Sequence, residues 1–300
     1  MKSVIILLLF PLFSYAQNEV NELVLIENYP VKQLVREKST ANRRFDLSGI
    51  VLHKQKIYVI SDKEWNKFLY EIDTLRNNFH FINKIPIKVN GRLDCEGVDV
   101  YNDKIIIVDE WHSEVYSIDN ESGQTKKNKI YLNKTKEDFE NWGNAGFEGI
   151  AGNMDKKVIY LAKERNPAKI FEVDMKKKEI NEAFTDLLMK LQITDISDIK
   201  YENGAIYILN RKKCLLFKID TETGKSTIFS FKSSLNPNGE RAYSARNLSY
   251  GMAEALLLTP TQIWIGLDNN GDKVSEYGKS LGLNEGSEPC FFIFKRPIGF

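Results

Sequence analysis

The chain is poor in the residues that do the most recognisable chemistry, with three histidines and three cysteines among 300 residues. Cys95, Cys214 and Cys290 are too few and too scattered for a disulfide framework or a zinc knuckle. Buried free thiols are the favoured reading, with one bridge left open in an oxidising compartment. No Gly-x-Ser-x-Gly elbow, no His-Glu-x-x-His helix and no P-loop occurs, so the common hydrolase and nucleotide-binding signatures are absent. A dominant charge is also lacking, since 42 Lys and Arg offset 41 Asp and Glu. That balance argues against nucleic acid or an anionic membrane surface as partner.

Long apolar runs are missing too, with one exception at the start. Lys2, the run Val4 to Phe13 and the small residues Ser14 and Ala16 around Tyr15 predict a signal peptide over residues 1–16. The run is well short of the roughly 20 residues that cross a bilayer, and no cysteine near the cut could take a lipid. Residues 17–300 are therefore expected to form a single exported domain, periplasmic, secreted or at the cell surface, monomeric and without a membrane span. Loss of Lys2 takes the formal charge from +1 to 0, so any electrostatic function must be local.

What is present is a repeat. The segments D-L-S-G-I at Asp46, D-C-E-G-V at Asp94, G-F-E-G-I at Gly146, D-I-S-D-I at Asp195 and M-A-E-A-L at Met252 share one grammar. Their middle residues, Ser48, Glu96, Glu148, Ser197 and Glu254, are 48, 52, 49 and 57 residues apart, the period of propeller blades. After each motif come a β-branched strand, a polar loop and a further strand ending in Asp or a near equivalent. Ile57 to Ile60, Ile105 to Val108, Val158 to Leu161, Ala205 to Leu209 and Ile263 to Leu267 are the clearest strands. Around Thr185 to Gln192, leucines at helical spacing predict a short connecting helix.

Units of about 50 residues with four short strands cannot bury both faces alone, so they must pack around an axis. The expectation is an all-β, five-bladed β-propeller with blades starting near 46, 94, 146, 195 and 252. Six blades are the alternative if Ser226 to Gly251 holds further strands. The last unit ends after three strands, and Leu23 to Ile26 is unassigned, so closure is expected by pairing this N-terminal strand onto the last blade.

In a propeller the innermost strands line a central channel, so the five motif residues should converge at one mouth. Three carboxylates crowded there raise one another's pKa unless a cation joins them. Oxygen-only ligands point to calcium, with magnesium less suited because it wants a tighter octahedron. Protonated or Arg-paired glutamates are the competing reading, disfavoured because no Arg or Lys holds an equivalent ring position. A metal pin between blades and a catalytic centre both stay open.

These segments, together with K-E-R-N-P at Lys163, resemble the bacterial SdiA-regulated propeller family over nearly the whole mature chain. The resemblance implies calcium at the centre of five blades, placed on Ser48, Glu96, Glu148, Ser197 and Glu254, and implies little about activity. The wider group includes propellers named for esterase-like activity of phytases, and the ligand order is also similar to calcium-activated nucleotidases, whose nucleotide-handling segments are not evident here. Asp198 and Ala255 stand where the pattern has glycine.

The loops after the second strands should overhang the mouth and form the binding face. They offer Asp62, Lys63, Glu64 and Trp65; Asp109, Glu110, Trp111 and His112; Lys163, Glu164, Arg165 and Asn166; Asn210, Arg211 and Lys212; and Asp268, Asn269 and Asn270. Lys163, Arg165 and Arg211 could hold a phosphate, with Asp109 or His112 as base. Solvated or ion-paired roles compete for most of these residues. His53 and His80 are expected to be structural or exposed, and Trp65 and Trp111 either stack on a ligand or pack the rim. Two functions follow: a calcium-binding module for an unknown small-molecule or protein ligand, or a calcium-dependent phosphoester hydrolase.

Overall fold

The computed structural model describes residues 19–32, 45–74, 79–131, 139, 142–143, 145–235, 240–244, 252–268, 270–271, 273–283 and 288–300. The leader reading, Asn269 and parts of the 226–251 stretch lie outside these residues, and nothing is said of the His80 side chain. Two strands precede the first motif, β1 (Val20–Glu22) and β2 (Leu25–Lys32). Blade 1 is β3 (Leu47–His53), β4 (Lys56–Ser61), β5 (Phe68–Asp73) and β6 (Phe79–Pro86). Blade 2 is β7 (Cys95–Tyr101), β8 (Lys104–Asp109), β9 (Glu114–Ile118) and β10 (Thr125–Asn128). Blade 3 is β11 (Phe147–Asn153), β12 (Val158–Lys163), β13 (Lys169–Asp174) and β14 (Glu179–Ala183), followed by the predicted helix, α1 (Thr185–Lys190). Blade 4 is β15 (Asp198–Glu202), β16 (Ala205–Asn210), β17 (Leu215–Asp220) and β18 (Ser226–Ser230), with α2 (Lys232–Leu235) after it. The last unit supplies β19 (Ala253–Leu258), β20 (Gln262–Leu267) and, after α3 (Glu276–Ser280), β21 (Cys290–Lys295).

Five blades result, and the N-terminal segment closes the ring. β2 pairs antiparallel with β21 through Leu25↔Phe294 to Pro30↔Cys290, completing the fourth strand of blade 5. Its last residues, Val31 and Lys32, run parallel to β6 of blade 1, and β1 runs parallel to β18 of blade 4. One short segment thus ties blades 4, 5 and 1 and covers edges that would otherwise be unpaired.

The inner and central strands are largely apolar on both faces because each blade is sandwiched between two others. In β8, Ile105 and Ile107 pack toward blade 1 with Tyr58 and Ile60, while Ile106 and Val108 pack toward blade 3 with Phe147 and Ile159. This is the two-residue alternation of a strand expressed as two separate cores. Five such clusters occupy the five blade interfaces. Cys95, Cys214 and Cys290 are free thiols. Among the described residues no helix is long and apolar enough to cross a membrane.

Candidate functional site

Four of the five motif residues sit where their strand slips register. In blades 1, 2, 3 and 5 the ladder skips one residue, and the skipped residues are Ser48, Glu96, Glu148 and Glu254. A bulged residue is released from the in-and-out alternation, which lets its side chain turn to the axis. The glycine after it has a different task. A Cβ on Gly97 would lie 2.9 Å from the Glu148 carbonyl oxygen, and one on Gly149 2.9 Å from the Ile199 amide nitrogen, so neighbouring inner strands touch through bare backbone. Where blade 4 has Asp198, its buried carboxylate accepts from the Leu256 amide of blade 5 at 2.8 Å and pairs with Lys200 at 3.1 Å. Lys200 also donates to the Val98 carbonyl of blade 2 at 2.8 Å, bridging the channel below the mouth. Burial pushes the Asp198 carboxyl up to about 7 against the pull of Lys200.

At the mouth is a cavity of about 290 Å³. Ser48, Glu96, Glu148 and Glu254 line it together, as the repeat predicts. Ser197 does not. It is 1% exposed and its hydroxyl donates to the Ala253 carbonyl at 2.7 Å, clipping blade 4 to blade 5. Ser48 makes the matching clip to the Cys95 carbonyl at 2.5 Å. With its proton committed there, it has only lone pairs to offer the cavity.

From the overhanging loops, Asp62, Glu110, Glu164, Arg165, Arg211 and Asp268 join the lining. Seven carboxylates thus face two guanidiniums. Arg211 offsets one side: its Nη1 donates to both oxygens of Glu254 at 2.7 Å, its Nε donates to Asp195 at 3.2 Å, and Nη2 pairs with Glu164, which Arg165 also engages. This corrects the expectation that no basic residue could balance the ring. Arg211 comes from a loop and reaches over the ring, so comparing ring positions alone misses it. Burial works against its charge, but Glu254 and Glu148 hold it firmly protonated. Burial lifts Glu254 to about 7, opposed by Arg211.

Among the described residues, the opposite side has no such partner across it. Ligand oxygens of Asp62, Asp94 and Glu96 lie within 4.8 Å of one another. Burial pushes Glu96 well above the usual carboxylate range, and Glu148 across the axis adds to the shift. Glu148 and Asp268 are likewise pushed well up by burial, Glu110 to about 7 and Asp62 to about 6, the last against the pull of Lys63. Asp62 Oδ1, Glu164 Oε2 and Asp268 Oδ1 are buried and have no hydrogen-bond partner among the described residues. Buried carboxylate oxygens without donors are costly, and all three belong to this one cavity.

Asp94 and Asp195 were not singled out from sequence, although a signal was there. An Asp two places before the motif residue recurs as Asp46, Asp94 and Asp195, and each takes a base: Lys63 at 2.9 Å, Arg92 at 3.1 Å and Arg211 at 3.2 Å. Blade 3 has Gly146 there, and Glu110 fills the space, accepting from the Gly146 amide at 2.8 Å.

Other candidates lie elsewhere. Asp109 is 0% exposed and holds the Asp94 amide at 3.0 Å and His112 Nδ1 at 2.6 Å. His112 opens on a different cavity with Lys88, Glu114 and Lys127, so neither residue faces the mouth. Lys163 is buried, and its Nζ donates to the carbonyls of Arg165 and Pro167. It shapes its own loop, and Asn166 stands exposed on the same turn. His53 is buried at the end of β3, 3.8 Å from Asp103. Trp65 and Trp111 are 38% and 59% exposed, outside the blade cores.

A family profile described as SdiA-regulated matches residues 22–240. No curated protein sequence matches the chain. Among solved structures, Myxococcus xanthus glutaminyl cyclase aligns with a TM-score of 0.52 at 11% identity, covering 93% of this chain and 100% of that one. A chain of a nidogen/laminin complex aligns with a TM-score of 0.48 at 11% identity, over 75% of this chain and 73% of that one. At such identity the likeness to the cyclase is one of fold.

Proposed function

The chain belongs to the SdiA-regulated family, and from the geometry of its channel mouth we propose that it is an exported β-propeller that binds calcium there and acts as a ligand-binding module. The supporting observation is the set of buried, donorless oxygens on Asp62, Glu164 and Asp268 around a cavity with seven carboxylates and two arginines. A hard cation is the partner that oxygen-only donors lack. Asp62, Asp94 and Glu96 would hold it, with Glu148 across the axis and the Ser48 hydroxyl as a neutral donor. Of the five positions expected from the repeat, Glu254 is engaged by Arg211 and Ser197 is turned into a backbone clip, so the cation is drawn to the blade 1 and 2 side. Calcium there supplies positive charge and open coordination positions for a ligand's oxygens. Export is supported by the leader-like residues 1–16.

The test is thermal unfolding of protein stripped with EDTA. Added calcium raises the melting temperature, because a ligand bound only to the native state stabilises it by mass action. No rise would overturn the calcium reading. The alternative, a calcium-dependent phosphoester hydrolase, draws on Arg165 and Arg211 beside the same carboxylates, but Arg211 is already shared among Glu254, Asp195 and Glu164. Turnover of p-nitrophenyl phosphate, nucleotides or phytate that Arg165→Ala abolishes would favour it. Stable, calcium-dependent folding with no turnover favours the binding module.

A further inference from the structure

Two of the four tryptophans are packed away and two are presented. Trp264 is buried in the core between blades 5 and 1, and Trp142 sits against Phe139, Phe147 and Phe171. Trp65 and Trp111 instead project from the loops of blades 1 and 2, at 38% and 59% exposure. A guanidinium joins them. Arg92 lies 3.7 Å from the centre of the Trp111 ring, and together with Trp65 it lines an open cavity of about 480 Å³. Glu64 and Lys67 complete the rim of that cavity. Arg92 also holds Asp94 at 3.1 Å, so this surface adjoins the proposed cation site.

We propose that the Trp65–Arg92–Trp111 surface is a carbohydrate-binding platform that stacks the pyranose rings of a neutral sugar chain beside the channel mouth. This rests on reading the mouth as a ligand-binding face and names the class of ligand. A pyranose has one face of C–H groups and a rim of hydroxyls. The first matches an exposed indole, and the second matches a carboxylate and cations set around it. An anionic chain would meet the surplus of carboxylates at the mouth. An apolar peptide anchor favours an enclosed pocket, whereas this one is open. Arg92 has its charge shared between Asp94 and the Trp111 face, and Lys67 donates to the Gly91 carbonyl, so the basic groups act here as hydrogen-bond donors already held in place.

The experiment titrates the full mature protein with cello-, chito- and maltohexaose, reading tryptophan fluorescence and calorimetric heat. At least one hexasaccharide binds with a blue-shifted emission, Trp65→Ala weakens it by about tenfold or more, and Trp65→Phe restores part of the affinity. Absence of binding by all three, or binding untouched by Trp65→Ala and Trp111→Ala together, overturns the proposal. The calcium-induced rise in melting temperature is measured on the same proteins. A normal rise without sugar binding sinks the platform alone, and sugar binding without a rise sinks the calcium reading alone.

Discussion

The two halves of the channel mouth are built from the same motif and are balanced in opposite ways. On the blade 3 to 5 side, Glu254, Asp195 and Glu164 converge on Arg211, and Arg165 also pairs with Glu164, so side chains of the protein answer these carboxylates. On the blade 1 and 2 side, Asp62, Asp94 and Glu96 bring their oxygens within 4.8 Å of one another. Lys63 and Arg92 pair with Asp62 and Asp94 from the flanks, and among the described residues no guanidinium spans the three as Arg211 does on the other side. The difference teaches that a shared motif places acidic groups on an axis, while the loops decide whether a side chain reaches across to answer them.

The largest expected effect breaks the self-balanced half. Arg211→Met leaves Glu254 and Asp195 without their cation and Glu164 with Arg165 alone, and should cost about 3–5 kcal/mol in urea unfolding. A loss below about 1 kcal/mol would mean that solvent already screens the cluster. On the other half, calcium at a hundredfold excess over its Kd should add about 2.7 kcal/mol to the wild type. Asp62→Asn should remove most of that gain and Glu254→Gln little of it. Equal losses in both variants would erase the distinction between the halves.

Gly97→Ala tests the frame that both halves share. Its methyl would press on the Glu148 carbonyl and Ile150 amide, each 2.9 Å away, and overpacking against backbone should cost about 1–3 kcal/mol. An unchanged urea midpoint would show that the inner strands can part freely. The pH dependence is gentler and sharpens the comparison. Burial lifts Glu254 and Glu110 to about 7 from 4.5, so the native state holds protons that the unfolded chain has released. Calcium-free protein should therefore lose stability as the pH rises from about 4.5 to about 7, and calcium, which binds the ionised form, should flatten the fall. Stability that climbs over that interval without calcium would contradict the burial assigned to these groups.

The architecture was legible because an apolar, β-branched strand follows each motif and the motif recurs at blade spacing. Closure by the N-terminal strand was legible because the last unit lacked a strand and Leu23 to Ile26 lacked a place. The convergence of Ser48, Glu96, Glu148 and Glu254 was legible for the same reason, since topology alone carries inner strands to one axis. What escaped depends on reach. Arg211 belongs to a loop, and its length lets it cross to Glu254, a contact that spacing along the chain does not encode. Ser197 and Ser48 look alike in sequence, yet only Ser48 lines the cavity. The candidate base His112 is drawn aside by Asp109, whose carboxylate is fully buried and also secures the Asp94 amide.

Crystals of the protein grown with calcium, measured for anomalous scattering, test the central claim most directly. The account predicts a peak at the channel mouth bounded by Asp62, Asp94 and Glu96, with Arg211 still on Glu254. A mouth without a peak, or an ion on Glu254 with Arg211 displaced, would contradict it.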